Sequence, residues 1–320
     1  MHTLIAQTLS SVTLGDPSIV KTLTMFPLLG PATVEQEPFY LTLDQALGDG
    51  WTEITEVSEQ GSVPHLRVIN KGLKPVFILD GEELIGAKQN RVVNLTILVP
   101  AETTLTIPVS CVEAGRWSAR SRAFSAAPRT QYAAGRAKRM SQVTASMRSS
   151  GEHRSDQAEV WADIAEKSVR LDAASPTGAM EEMFARHSDF TDRCVETLGP
   201  VPQQCGALFM LHGRVVGFDI FDRAVTLRRL LPKLVRSVAM DALDDRSPDL
   251  EAGPRAGRRR VAPALLIKVA EHFLAVTSAA AVHQADGVGM GRDLRIVAPK
   301  ISGAALDVDS SVVHLSAFHL

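Results

Sequence analysis

Apolar and polar positions alternate most regularly between Val76 and Trp117. Val76 to Leu79 form an apolar run that stops at Asp80-Gly81-Glu82-Glu83. A second run opens with Gln89-Asn90-Arg91 and alternates through Val93, Leu95, Ile97 and Val99. A third alternates through Leu105, Ile107 and Val109, and its inward face continues into Cys111 and Glu113 before Gly115-Arg116-Trp117. Period-two alternation of this kind predicts half-buried strands. A short connection centred on Glu102 makes opposed positions sum to 204. Val99 then faces Leu105, Leu95 faces Val109, and Arg91 faces Glu113. Gln89, Arg91, Cys111 and Glu113 lie at one end of that face, continuous with the core. A desolvated charge there needs a partner, so the register predicts an Arg91 to Glu113 ion pair. Asp80, Glu82, Glu83, Arg116 and Trp117 come from neighbouring strand ends, where sites tend to be built.

Before this stretch, Thr3 to Thr24 alternates weakly and predicts one or two strands, followed by a loop from Met25 to Pro31. Phe39 to Leu47 predicts a strand running into a helical turn, closed by Gly48-Asp49-Gly50. Thr52 to Ser58 alternates, and His65 to Asn70 with Val76 to Asp80 predict a hairpin. The first lobe is therefore mainly β.

After Trp117 the period changes. Ser118 to Arg154 carries eight Arg and Lys residues against the single acid Glu152, which predicts either a solvated, mobile face or a flap delivering arginines to a phosphate-bearing ligand. Its aromatics, Phe124 and Tyr132, are too few for a nucleic-acid surface. Asp156 to Leu171 has an apolar stripe at helical spacing. Ser175-Pro176 reads as a cap and first helical residue leading through Met180, Met183 and Phe184. Ala207 to Leu211 and Arg214 to Ile220 flank the two-residue turn His212-Gly213. Helices are expected over Ala224 to Leu243, with Pro232 inside, and over Val261 to Thr277, separated by a Pro-, Gly- and charge-rich loop, Asp245 to Arg260. The tail from Ala279 reads as β again. The expected class is α+β, divided as a β-rich lobe (1–117), a basic segment with helices (118–200) and a C-terminal α+β part (201–320) packing back on the same core.

Composition narrows the classes of function. The 320 residues are 45% hydrophobic and 22% charged with a net charge of −2, so there is no global pull toward nucleic acid or membrane. No apolar run approaches the ~20 residues that span a bilayer. The N-terminus lacks a basic n-region and a continuous apolar core, and the cysteines (Cys111, Cys194, Cys205) have neither metal-ligand spacing nor an even count, which points to a reducing cytoplasm.

Several motifs fail on context. Gly287, Gly289 and Gly291 suggest a dinucleotide-binding loop, but a strand, Asp293 to Val297, follows where that site needs a helix. No histidine pairing suits zinc, and Cys111 has no histidine close in sequence, although His314 at a strand end can approach in space. Cys111 reads as a small core residue or a nucleophile. Asp80, Glu82 and Glu83 could hold a hard cation, so magnesium stays open and no metal ligand is assigned.

The blocks DGEELIGAKQNRVVN (Asp80 to Asn94) and PVSCVEAGRW (Pro108 to Trp117), with SDQAEVW (Ser155 to Trp161), GRVVGFDIFD (Gly213 to Asp222) and VVHLSAF (Val312 to Phe318), resemble the ARG and Rhodanese-Phosphatase-superfamily-associated protein (ARPP) family. The resemblance implies a setting near ADP-ribose and other NAD-derived nucleotides, with ADP-ribosylglycohydrolase-type proteins as partners. It carries over no catalytic residue. In that setting Arg91 and Arg116 are expected to meet phosphate or orient carboxylates, Trp117 to stack on a base or ribose, and Gln89 and Asn90 to bond sugar hydroxyls. Asp80, Glu82 and Cys111 complete the expected pocket. Glu83 and Glu113 are the candidates for general acid and base, because glycosidic or ester hydrolysis needs two carboxylates in different environments. The competing readings are a non-catalytic module recognising a nucleotide or an ADP-ribosylated protein, and a scaffold whose ion pairs only order the sheet.

Overall fold

The computed structural model describes residues 3–31, 36–244 and 262–320. The chain opens with α1 (Thr3–Ser10), β1 (Thr13–Leu14), β2 (Ser18–Val20) and β3 (Leu23–Leu29). β4 (Leu41–Thr42) enters α2 (Leu43–Gly48), and a run of strands follows: β5 (Thr52–Glu56), β6 (His65–Asn70), β7 (Val76–Ile78), β8 (Glu82–Gly86), β9 (Arg91–Val93), β10 (Ile97–Val99), β11 (Thr103–Cys111) and β12 (Phe124–Thr130). Helices α3 (Ala133–Ser150), α4 (Gln157–Arg170), α5 (Glu181–Arg186) and α6 (Ser188–Thr197) lead to the hairpin β13 (Gln204–Leu211) and β14 (Arg214–Phe221). After α7 (Ala224–Leu243) and α8 (Pro263–Ser278) the chain ends in a meander, β15 (Ala281–Asp286), β16 (Arg292–Ala298), β17 (Ile301–Val308) and β18 (Ser311–His319). The class is α+β, as the alternation predicts.

Three sheets carry the strands. A nine-stranded sheet runs β1-β3-β13-β14-β18-β17-β16-β15, with β2 also on β3. The N-terminal strands are thus built into the C-terminal sheet. A six-stranded sheet runs β12-β8-β9-β11-β6-β5, and a bridge between Thr55 and Ala123 brings its last strand back to its first, so this sheet curls toward a barrel. A three-stranded sheet, β10-β7-β4, closes one side of the curl. Val76, Ile78, Ile97 and Val99 from it pack on Ile54, Leu66, Leu84, Val93 and Val109 inside. Outside the curl, Val92 and Val112 meet Val160, Ile164, Met180 and Met183 of the helical segment. The nine-stranded sheet is covered on one face by α3, α6 and α7, and on the other by α1 and α8. Among the described residues no helix is long and apolar enough to cross a membrane.

Several local expectations are corrected. Thr3–Ser10 is a helix rather than a strand, because Ile5 and Leu9, one helical turn apart, pack under α8. Met25 to Leu29, expected as loop, completes a buried strand between β1 and β13. β6 and β7 do not pair with each other but enter different sheets. The run from Arg91 to Val99 is two strands: Asn94 accepts the Ser110 hydroxyl (2.6 Å) and donates to the His153 carbonyl (3.0 Å), and beyond it the chain passes to the small sheet. The helix expected from Pro176 starts at Glu181, since Ser175 Oγ instead accepts from the Thr177 and Ala179 amides in a turn. The hairpin at His212-Gly213 forms with φ of 51° and 76°, as a two-residue turn requires. Arg292–Ala298 is a strand, in keeping with the rejection of a dinucleotide loop. The loop expected over 245–260 lies outside the described residues.

The basic segment is ordered structure that is solvated in part: Arg120, Arg122, Lys138, Arg148 and Arg154 are exposed, as a solvated face predicts. It folds into β12 and α3, and Arg129, Arg136 and Arg139 are buried. Their spacing along the helix sets Arg136 and Arg139 on the face that also buries Ala133, Ala137 and Met140.

Candidate functional site

The strand register brings the expected residues together differently from the way the sequence suggests. β9 and β11 pair as Val93 with Val109 and Arg91 with Cys111, a sum of 202 instead of 204. The two-residue shift keeps every side chain on its face and changes only its partner. Arg91, Cys111 and Gln89 therefore do cluster at one end of the curl's interior. Cys111 Sγ lies 3.2 Å from Gln89 Oε1, which also accepts from Arg91 Nη1 at 3.0 Å. Burial pushes the Cys111 thiol up, opposed by the Arg91 guanidinium. That favours the packed thiol over the nucleophile.

Glu113 pairs with Arg116 rather than Arg91. Arg116 Nε donates to Oε1 at 2.8 Å and Nη2 to Oε2 at 2.6 Å. Thr177 Oγ1 and the Asn90 amide add hydrogen bonds of 2.8 and 3.1 Å. Burial would raise the Glu113 carboxyl, but these bonds hold it below the usual range. Arg116 also donates to the carbonyls of Gly86, Ala87 and Ser118, so it is an internal strut.

Glu82 and Glu83, adjacent on β8, separate to opposite faces. Glu82 meets Lys233 of α7, which also reaches Asp44 at 2.8 Å. Glu83 Oε2 accepts from Arg129 Nε at 2.5 Å, and Arg129 lies 4.0 Å from Glu181. Glu181 in turn takes a hydrogen bond from Asn90 Nδ2 at 3.1 Å. Burial raises the carboxyls of both Glu82 and Glu83, against the pull of Lys233 and Arg129.

Asp80 belongs to a third network. Arg136 donates from Nε to Asp80 Oδ2 (3.3 Å) and from both terminal nitrogens to Asp219 (2.8 and 3.1 Å), and Arg139 Nη2 lies 2.9 Å from Asp80 Oδ1. Gly81, with φ of 81°, makes room: a Cβ there would sit 2.9 Å from the Arg136 side chain. His314, far away in sequence, does approach. Its Nε2 contacts Asp219 Oδ1 at 3.1 Å and its Nδ1 contacts Thr96 Oγ1 at 2.8 Å. Asp219 is held down to about 2 against its burial by Arg136 and His314. An ionised Asp219 accepts only, so Nε2 of His314 carries the proton facing it. Asp80, Glu82 and Glu83, the candidate acids for a hard cation, thus point at different cationic side chains. Among the described residues no group of three or more His, Cys, Asp and Glu side chains converges as for a metal.

Arg91 stands apart from these ion pairs. It is 0% exposed, yet Nε and Nη2 have no hydrogen-bond partner, Nη1 donates only to Gln89 Oε1 and the Asn90 carbonyl, and among the described residues no carboxylate forms an ion pair with it. Desolvation lowers its pKa. Its guanidinium carbon lies 5.6 Å from the ring centroid of Trp117, which is 46% exposed and also sits 5.4 Å from Lys88 Nζ. Arg120 and Arg122 are exposed nearby in sequence, and Arg120 Nη2 lies 3.9 Å from Glu113 Oε1. This end of the curl is electropositive.

A cleft of about 1040 Å³ lies elsewhere, beside Pro200–Cys205 and the start of α7, and none of the ten expected residues lines it. Its acid, Asp222, accepts the Tyr40 hydroxyl at 2.5 Å, and Tyr40 also contacts Thr226 at 2.8 Å. Burial raises Asp222, offset in part by that bond.

Comparison with protein families now adds to the geometry. The model of the ARG and Rhodanese-Phosphatase-superfamily-associated Protein domain matches residues 11–318. The chain belongs to the ARPP family. The match takes in all three sheets, so the curled sheet and the nine-stranded sheet lie within one ARPP domain. No curated protein and no solved structure matches the chain.

Residues that the sequence reading missed are mainly the partners: Arg129, Arg136, Arg139, Lys233 and Glu181. The charge count of the basic segment concealed the first three. Periodicity contained the signal, since Arg136 and Arg139 share a helical face with apolar residues.

Proposed function

We propose that this ARPP protein recognises a phosphate-bearing, nucleotide-like ligand at the Arg91–Trp117 end of the curled sheet, of the ADP-ribose class that the family resemblance implies. The observation that carries this reading is Arg91, a fully buried guanidinium with two nitrogens, Nε and Nη2, that have no hydrogen-bond partner. A buried cation without an ion-pair partner is costly, the charges of Glu56 and Glu113 offset that cost only in part, and an arriving anion relieves it. Guanidinium suits phosphate oxygens, and a half-exposed indole suits a base or sugar face. The 1040 Å³ cleft offers room, but its acid already has its hydrogen bond.

Recognition is favoured over hydrolysis because Glu83 and Glu113 are both 0% exposed and each is engaged by an arginine. One observation favours turnover: burial pushes Glu83 up while hydrogen bonding holds Glu113 down, the divergence an acid and base pair needs. The scaffold reading explains the ion pairs but leaves Arg91 unexplained.

Isothermal titration with ADP-ribose, with and without magnesium, tests the proposal on wild type and on Arg91→Ala shown to be folded by circular dichroism. Saturable binding lost in the folded variant is expected. Absence of binding in wild type, or equal binding in both proteins, overturns it. Release of product from bound ADP-ribose derivatives, abolished in Glu83→Gln, would move the assignment to a hydrolase.

A further inference from the structure

Next to the partly unclaimed guanidinium of Arg91 lies an unclaimed carboxylate oxygen. Glu56 ends β5 on the face that buries Thr52 and Ile54, so its side chain continues the inner wall of the curl. Its Oε1 accepts the Lys88 amide at 3.3 Å, whereas Oε2 is buried without a hydrogen-bond partner. One point in space locates it. A Cβ built on Gly61 would lie 3.2 Å from Glu56 Oε2, 3.2 Å from Trp117 Cζ2 and 3.1 Å from Lys88 Cδ. Glu56 Oε2 and the indole edge of Trp117 therefore both lie against Gly61. Arg91 and Glu56 form no hydrogen bond with each other, and the Glu56 charge offsets the burial of Arg91 only in part.

We infer that Glu56 is the second anchor of the ligand at this end of the curl, and that it selects a phosphate ester carrying a sugar hydroxyl over a phosphate ester without one. The inference rests on the reading of Arg91 as the anion contact. The chemistry is complementary. Guanidinium offers donors only and carboxylate offers acceptors only. A ligand that fills both unclaimed positions must bring an acceptor-rich anion and a hydrogen-bond donor in one small molecule. A bare anion is repelled by Glu56, and a bare cation is repelled by Arg91 and Lys88. A pentose phosphate has both groups, and Trp117 supplies an apolar surface for the ring.

The probes are ribose 5-phosphate and tetrahydrofurfuryl phosphate, which keeps the ring and the phosphate but lacks the hydroxyls. Binding is followed by titration calorimetry on wild type, Glu56→Ala, Glu56→Gln and Arg91→Ala, each checked for folding by circular dichroism. Wild type is expected to prefer ribose 5-phosphate by about tenfold or more, as a hydrogen bond to a charged group implies. Glu56→Ala should remove most of that preference and Glu56→Gln, which keeps an acceptor without the charge, should retain part of it. Arg91→Ala should lose both ligands. A preference unchanged in both Glu56 variants, with binding still lost in Arg91→Ala, overturns the role of Glu56 and leaves the anion site standing. Tighter binding of both probes in Glu56→Ala shows that Glu56 only repels, and overturns it too. Failure of wild type to bind either probe removes both.

Discussion

Arg116 grips both oxygens of Glu113, at 2.8 and 2.6 Å, from only three residues further along the chain. This contact does two things. It neutralises the acid that the sequence would place in catalysis, and it takes from Arg91 the partner that the strand pattern assigns to it.

Because Glu113 is fully buried, Glu113→Gln should leave Arg116 uncompensated and cost about 3–5 kcal/mol. Urea denaturation followed by circular dichroism measures this. A loss below about 1 kcal/mol would show that water screens the pair.

Asp219 sets an acid limit. Its folded value of about 2 lies below the unfolded value near 3.9, so its contribution is complete above about pH 4 and is lost as pH falls toward 2. The size is on the order of 2 kcal/mol. Stability measured between pH 5 and 2 should fall less steeply in Asp219→Asn than in wild type. Parallel curves would contradict the Arg136 clamp.

Arg91 should behave in the opposite way to Glu113. Replacing an unpaired buried cation by an apolar chain of similar length relieves its desolvation, so Arg91→Met should be at least as stable as wild type, by about 1 kcal/mol or more, while losing the ligand. Thermal unfolding with and without ADP-ribose checks both parts. A marked loss of stability would mean that Arg91 has an anionic partner in the free protein.

Much of the fold was legible because burial leaves a period in the chain. The alternation of β5, β6 and β11, the turn at His212-Gly213, the amphipathic α4 and the C-terminal β meander all follow from it. It also placed Gln89, Arg91, Cys111 and Glu113 on one face, and that survived the register error because a shift of two residues preserves parity. The same parity extends along β5 to Glu56, which the sequence reading passed over. α1 was missed because eight residues give only two buried positions, too few to define a period.

The sequence by itself determined the α+β class, the family, and which residues face inward, because apolar spacing and motif order are properties of the chain alone. Only the tertiary structure decided who pairs with whom: Glu82 with Lys233, Glu83 with Arg129, Asp80 with Arg136, Glu113 with Arg116, and Arg91 with no carboxylate among the described residues. The physical reason is that a charge can be satisfied by any opposite charge within reach. Which one is within reach depends on how three sheets and their helices pack, and no local pattern in the chain records that.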